Sequence, residues 1–528
     1  MTTQTRTAPA QPTFCNPLNI EYRFQVEEEG VPCRREAADP SVVVYHDRFW
    51  LFASKSGGYW YADDMLHWTF VPTTTLPTED YAPDVRVVDG WLYFTASRRG
   101  ENCPVFRTRR PEADDWECVG AHIPYWDPNI FQDDDGRVYL YHGCSNEDPL
   151  HAFEVDRETL EPIGERVDLV PNHLQHEHGW QRTGDDNCAL DPPWLEGAWM
   201  TKHHGRYYLQ YAVPGTEYNV YADGVSVADA PLGPFAFAAH NPFSIKPGGF
   251  SAGAGHGSTF QDRHGNWWHA ATMCVTVHQK FERRVGVWPA GFDADGVLFC
   301  NTRFGDYPLH LAPGPWDPWT DAAPGWMLLS YAKPATASSA LANRPATQAV
   351  DESIRTWWAA AADDTEPWLQ VDLETTARLH AVQVNFAEEQ CTQYCRQGPP
   401  LRHQYLLEGS VDGRDWFALA DKRDNPRDVP HDYVALADAC DVRYLRLTIT
   451  RMPGAGLPAV SGLRAFGRTP GDAPATPAGL KLDRDADDPC VVRLQWDDVA
   501  AADGYNVLWG VAADKLYSCW QVHGDHAL

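Results

Sequence analysis

Five acidic or imidazole side chains recur at the head of one repeated pattern in the first three hundred residues. They are Asp39 (ADPSVVVYHDRFWLFAS), Asp84 (APDVRVVDGWLYFTAS), Asp127 (WDPNIFQDDDGRVYLYHG), Glu196 (WLEGAWMTKHHGRYYLQYA) and His256 (GHGSTFQDRHGNWWHAATM). Four of the five are carboxylates. Carboxylates gathered in one place repel one another when ionised, so one of them should keep a proton near neutral pH. A protonated acid and an ionised base on either side of one bond are the machinery that cleaves glycosides. Any single Asp next to Pro is more simply a turn former. Recurrence in register is much harder to explain that way.

What must position these groups is the repeat itself. In four copies the residue nine beyond the anchor (Arg48, Gly136, Gly205, Gly265) lies in a tight-turn sequence, whereas in the Asp84 copy the interval is six. An aromatic-rich run follows each turn: WLFAS, WLYFTAS, VYLYHG, YYLQYA, WWHAAT. Short strands at regular spacing, five times over, predict a five-bladed β-propeller over 15–312. The innermost strand of each blade lines the axis, which would bring the five anchors to one pocket. An array of β-sandwiches is the alternative, but it gives no reason for an acid or histidine to open every copy.

With 528 residues the chain exceeds what one core organises, so several domains are expected. Residues 1–14 read as a disordered tail, 313–329 as a Pro-rich linker, 330–467 as a β-sandwich, 468–478 as a second linker and 479–528 as a further strand-bearing piece. The fold class is all-β. A net charge of -30 argues against nucleic-acid phosphates and anionic membranes as partners and suits a neutral one such as a sugar. No apolar run has the length of a membrane span. The opening MTTQTRTAPAQPTF has no apolar signal core, and the 13 cysteines form no dense disulfide framework. Both features give a cytoplasmic expectation; a secreted or periplasmic enzyme is the alternative. Cys391 and Cys395 are the one close pair, read as a loop disulfide or two thiols, because no second pair sits at zinc spacing.

Residues 36–320 resemble glycoside hydrolase family 43, a five-bladed propeller family of inverting enzymes. The resemblance implies Asp39 as general base from ADPSVVV, Asp127 as the group that tunes and orients the acid from YWDPNIFQDDDGRVYLYHG, and Glu196 as general acid from WLEGAWMTKHHGRYYLQYA. GAGHGSTF implies His256 in the central channel, beside a calcium ion or a water, and YAPDV gives Asp84 as a second-blade substrate residue. No cofactor is required. Trp126, next to Asp127, is a candidate sugar platform, with Trp60, Trp194 and Trp199 as weaker ones. The polar stretch 172–187 offers Arg182, and ERR at 282–284 offers Arg284, as hydroxyl ligands. Residues 330–467 resemble the discoidin, or coagulation factor 5/8 type C, sandwich, through ATASS, WLQVDL and YLRLTIT. Residues 474–528 resemble the first part of a fibronectin type III domain. The implied function is exo-acting hydrolysis of a terminal α-L-arabinofuranoside or β-xyloside on oligosaccharides or polysaccharide side chains. A β-galactosidase or galactanase-type activity and a non-catalytic glycan-binding protein are the alternatives.

Overall fold

The computed structural model describes residues 11–25, 33–98, 101–391, 401–500 and 502–523. Each repeat folds into its own four-stranded antiparallel sheet, giving five blades. The first runs Ala38–Tyr45, Arg48–Ser54, Gly58–Ala62, Thr69–Pro72. The innermost strands of the others are Tyr81–Val88, Asn129–Gln132, Glu196–His203 and Ala252–Gln261. Three hairpins turn on residue pairs that both have positive φ: His46–Asp47, Asp89–Gly90 and His204–Gly205. Such pairs match the right-handed twist of the strands they join, which is why Asn, Asp and Gly collect there. Aromatic and β-branched side chains fill the seams between blades, as in the cluster of Trp50, Phe52, Tyr59, Phe94 and Trp116.

Two rings of residues surround the axis, the second of them closed by side-chain hydrogen bonds. The strand register slips at Ala38/Ser41, Tyr81/Asp84, Glu196/Trp199 and Gly255/Ser258. Inside each slip lies a residue of positive φ: Asp39, Ala82, Gly197 and His256, with Asp127 at the same place just before its strand. These five therefore share the axial position. Two residues further on stand Ser41, Asp84, Asn129, Trp199 and Ser258, and each of these bonds to the backbone of the next blade. Ser41 Oγ accepts from Val85 N–H, Asp84 Oδ2 from Ile130 N–H (2.7 Å), and Asn129 Oδ1 from Met200 N–H. Trp199 Nε1 donates to the Thr259 carbonyl, and Ser258 Oγ accepts from Val42 N–H, which closes the ring.

Asp84 is thus a link between blades, two residues beyond the axial position, and it also lines the cavity with Asp39 and Asp127. Ala82 is the equivalent of Asp39: each stands nine residues before the strand that follows its turn, at Trp91 and Arg48 respectively. The odd six-residue interval came from aligning on the acid instead of on the bulge. Asp84 also accepts from Asn129 Nδ2 at 2.7 Å, and burial pushes its carboxyl up to about 6. Asp84→Ala is expected to cost about 2–4 kcal/mol in denaturant unfolding, since two buried donors lose their acceptor, with KM unchanged. A raised KM at unchanged stability would instead make it a substrate ligand.

Arg86 links blades two and four near the axis. Arg86 reaches from blade two to the Met200 carbonyl of blade four (3.0 Å) and lies over the Trp199 ring at 3.4 Å.

Thr13 and Phe14, placed in a tail by the sequence reading, form a buried strand with Leu309–His310. Asn16 bonds both backbone groups of Val287, so this segment is part of the fifth blade's outer packing. Residues 1–10 lie outside the described residues, as does Cys395. Among the described residues no cysteine is in a disulfide, and no helix is long and apolar enough to cross a membrane.

Residues from Met327 to Arg468 form the β-sandwich, built on two long bent strands, Trp368–Phe386 and His431–Arg451. Its core includes Trp358, Leu369, Val382, Leu407, Leu447 and Leu463. The final segment is all strand and turn. Its described residues make two separate hairpins, Lys481–Arg484 with Val492–Gln495 and Gly504–Trp509 with Ser518–His523. Leu480 and Leu482 stay 68% and 65% exposed, so the first hairpin has no core of its own. The second packs on the propeller, with Tyr517 stacked on Phe299 and Lys515 paired to Asp293.

Candidate active site

Asp39 is only 4% exposed, and every contact of its carboxylate is polar. Oδ2 accepts from Ser54 Oγ at 2.5 Å, and Oδ1 from Arg283 Nη1 at 3.0 Å and Thr272 Oγ1 at 3.4 Å. Its backbone N–H donates to Thr272 Oγ1, which holds the positive-φ turn. Burial disfavours the charge, but Arg283 and His256 outweigh it, so the Asp39 carboxyl is held below the ordinary range. This is a carboxylate fixed in its ionised form.

Across the axis stand Asp127, Glu196 and His256, each offering one atom within 4.8 Å of the others. Asp127 Oδ1 accepts from Ser97 Oγ (3.0 Å) and Oδ2 from Gly197 N–H (3.3 Å). Burial, aided by Glu196 and Asp39 and opposed by His256, pushes Asp127 up to about 7. Glu196 Oε1 accepts from the Tyr221 hydroxyl at 2.5 Å and Oε2 from the Cys144 thiol at 3.2 Å. The negative charge of Glu196 beside it adds to the effect of burial on Asp127. The His256 ring bridges the two sides, with Nδ1 3.6 Å from Asp39 and 3.9 Å from Asp127. Burial opposes its charge, yet Asp39, Asp127 and Glu196 raise its pKa. Gly197 (φ +65°) is glycine of necessity: a Cβ there would meet the His256 ring at 2.8 Å.

One cavity is lined by Asp39, Asp84, Asp127, Gly197, Trp199 and His256. The sequence profile of Glycosyl hydrolases family 43 matches residues 32–298, which is the propeller with its whole site. The chain belongs to that family. A second profile, the F5/8 type C domain, matches 334–461, the sandwich. The propeller is similar to a Beta-D-galactofuranosidase xynD of Aspergillus niger, 26% identical over 263 residues, covering 42% of this chain and 69% of that protein. It is also similar to a Beta-xylosidase of Xylanibacter ruminicola (30% over 128 residues; 21% of this chain, 39% of that protein). A third relative is a Xylosidase/arabinosidase 43A of Humicola insolens (30% over 195 residues; 30% and 56%).

In this family-43 chain the sequence-predicted residues divide. Asp39, Asp127, Glu196 and His256 meet as expected. Trp126 is 42% exposed beside Asp127 and lines a hollow with Arg98 and Tyr125, free to meet a sugar. Trp194 is equally exposed, while Trp60 and Trp199 are buried between blades. Arg182 does not face the cavity: its guanidinium is bound by both oxygens of Asp488 and by the Gln175 carbonyl. Arg284 faces the sandwich, bonded to His431 and the Arg35 carbonyl. The arginine of ERR that reaches the site is its neighbour Arg283, because adjacent strand residues point to opposite faces. Ser54 and Ser97 were also legible, since each closes its run in WLFAS and WLYFTAS. Tyr221, lying between copies, carried no signal.

A calcium ion takes six to eight oxygen ligands. Asp127, Glu196 and His256 supply two carboxylates and an imidazole nitrogen, and the Glu196 oxygens are already engaged. These residues do not form a calcium cage, so no step below runs through a metal.

Proposed function

We propose that this glycoside hydrolase is an inverting, exo-acting enzyme that releases a terminal pentose, an α-L-arabinofuranoside or β-xyloside, from oligosaccharides or polysaccharide side chains. The observation that carries the reading is an Asp39 held by Arg283 in the same site as the neighbouring carboxyls of Asp127 and Glu196. In this reading Asp39 takes a proton from a water on one face of the sugar. Glu196 gives its proton to the departing oxygen on the other face, and Asp127 keeps that proton available. Tyr221 and Cys144 orient the Glu196 carboxyl, and Trp126 offers a ring to the sugar.

The names of the relatives support pentosides in two cases and a galactofuranoside in one. Galactofuranoside hydrolysis is therefore the second reading. A panel of nitrophenyl glycosides selects among the sugars, with release of arabinose or xylose expected. Proton NMR of the first-formed anomer checks the stereochemistry: an inverted anomer is expected, and a retained one would defeat the assignment of Asp39 as base. No release from any sugar would favour a glycan-binding protein.

A further inference from the structure

The sandwich meets the propeller on two neighbouring strands that also reach the candidate site. In Arg34–Glu36, Arg35 faces the sandwich and Glu36 faces inward; in Arg283–Phe292, Arg284 faces the sandwich and Arg283 faces inward. This is the two-residue alternation of a strand. Arg35 donates to both oxygens of Asp428 (2.5 and 3.0 Å) and to Glu388 (2.6 Å). Arg284 donates Nε–H to His431 Nε2 (3.0 Å) and lies 3.5 Å from Glu388. Its Nη1 also donates to the Arg35 carbonyl at 2.7 Å, which clips the two strands together. All five side chains are buried. On the inner face, Arg283 donates to Glu36 at 2.8 Å and to Asp39 at 3.0 Å.

We infer that the sandwich is a working part of the active centre: Asp428, Glu388 and His431 are positioning residues that, through Arg35 and Arg284, hold the strand pair aiming Arg283 at Asp39. The inference rests on Asp39 being the general base. Asp39 is faced by Arg283, His256, Ser54 and Thr272, with Asp127, Glu196, Glu36 and Tyr221 nearby. Of its two cationic neighbours, His256 is fixed from within the propeller by Asp223, which accepts its backbone N–H at 2.7 Å. Arg283 alone has its strand pinned from the sandwich. A buried arginine whose carboxylate partner is removed either drags in water or shifts, and the strand that carries it shifts too.

The test uses the full chain carrying Glu388→Gln, or Glu388→Gln with Asp428→Asn, and reads the pH profile of kcat/KM beside a thermal melt. The acid limb reports the base. Weakening its contact with Arg283 raises the pH at which Asp39 ionises, so the limb should move up by about half a pH unit or more, with at least about a threefold loss of kcat/KM below it. Asp428→Glu, which keeps the charge, should lie nearer the wild-type profile. Asp441→Asn, on an exposed sandwich pair with Arg378 (3.2 Å), should leave the profile unmoved. An acid limb that superimposes on wild type, despite a lowered melting temperature, overturns the inference. Should the double variant not fold, Glu388→Gln alone decides. Activity surviving Asp39→Asn would instead remove the reading of Asp39 as base, so the two failures are told apart.

Discussion

Exchanging Glu196 for glutamine is expected to slow hydrolysis of an alkyl glycoside roughly a thousandfold and that of a nitrophenyl glycoside far less, because general acid catalysis is worth about 10²–10⁴-fold only when the leaving group needs a proton. An alkoxide is a poor leaving group and waits for the proton; a nitrophenolate departs without one. Glutamine keeps the length of the side chain and can still accept from Tyr221, so the cavity should keep its shape. Measuring kcat for both substrates, wild type against variant, gives the comparison. An equal fall on both would mean that Glu196 does something other than protonate the departing oxygen.

Asp39→Asn is the second large effect. It should cost roughly 10³–10⁴-fold in kcat whatever the leaving group, with KM little changed, because the lost group acts on water and not on the aglycone. Asparagine can still accept from Ser54 but cannot take up a proton, and it leaves Arg283 without its carboxylate. The pH dependence separates the two sides of the site. Wild-type kcat/KM should fall on the acid side as Asp39 gains a proton, below the usual carboxylate range since Arg283 and His256 hold it down against burial. It should fall on the alkaline side as Asp127 loses its proton, its carboxyl being pushed up to about 7 chiefly by burial. In Asp39→Asn the acid limb should vanish from the residual rate while the alkaline limb stays. A loss below about tenfold would exclude Asp39 as the base.

Much of this was readable in the chain because a repeat states its geometry many times. Turn pairs such as His46–Asp47 and Asp89–Gly90, followed by aromatic runs, define a blade, and five of them define a propeller. Asp39, Asp127, Glu196 and His256 were found since they sit at or beside the axial bulge of their copies. Asp84 lies two residues past its bulge yet lines the same cavity, and an acid there looks the same in sequence as one upon the bulge. Which face of a strand a residue serves is decided by a shift of one position, and that separated Arg283 from Arg284. Arg182 was lost to Asp488, a partner about three hundred residues away that no local pattern announces. The hairpins at 481–495 and 504–523 have the sequence of sandwich strands but spend them on the propeller surface.

The Arg86–Trp199 contact has a further consequence for turnover. Arg86 packs against Trp199, which lines the cavity, so a sugar released above them leaves by the mouth through which its parent came in. Until it leaves, nothing else can enter. Accumulating sugar should therefore compete directly with incoming substrate, and the enzyme would be throttled by its own success.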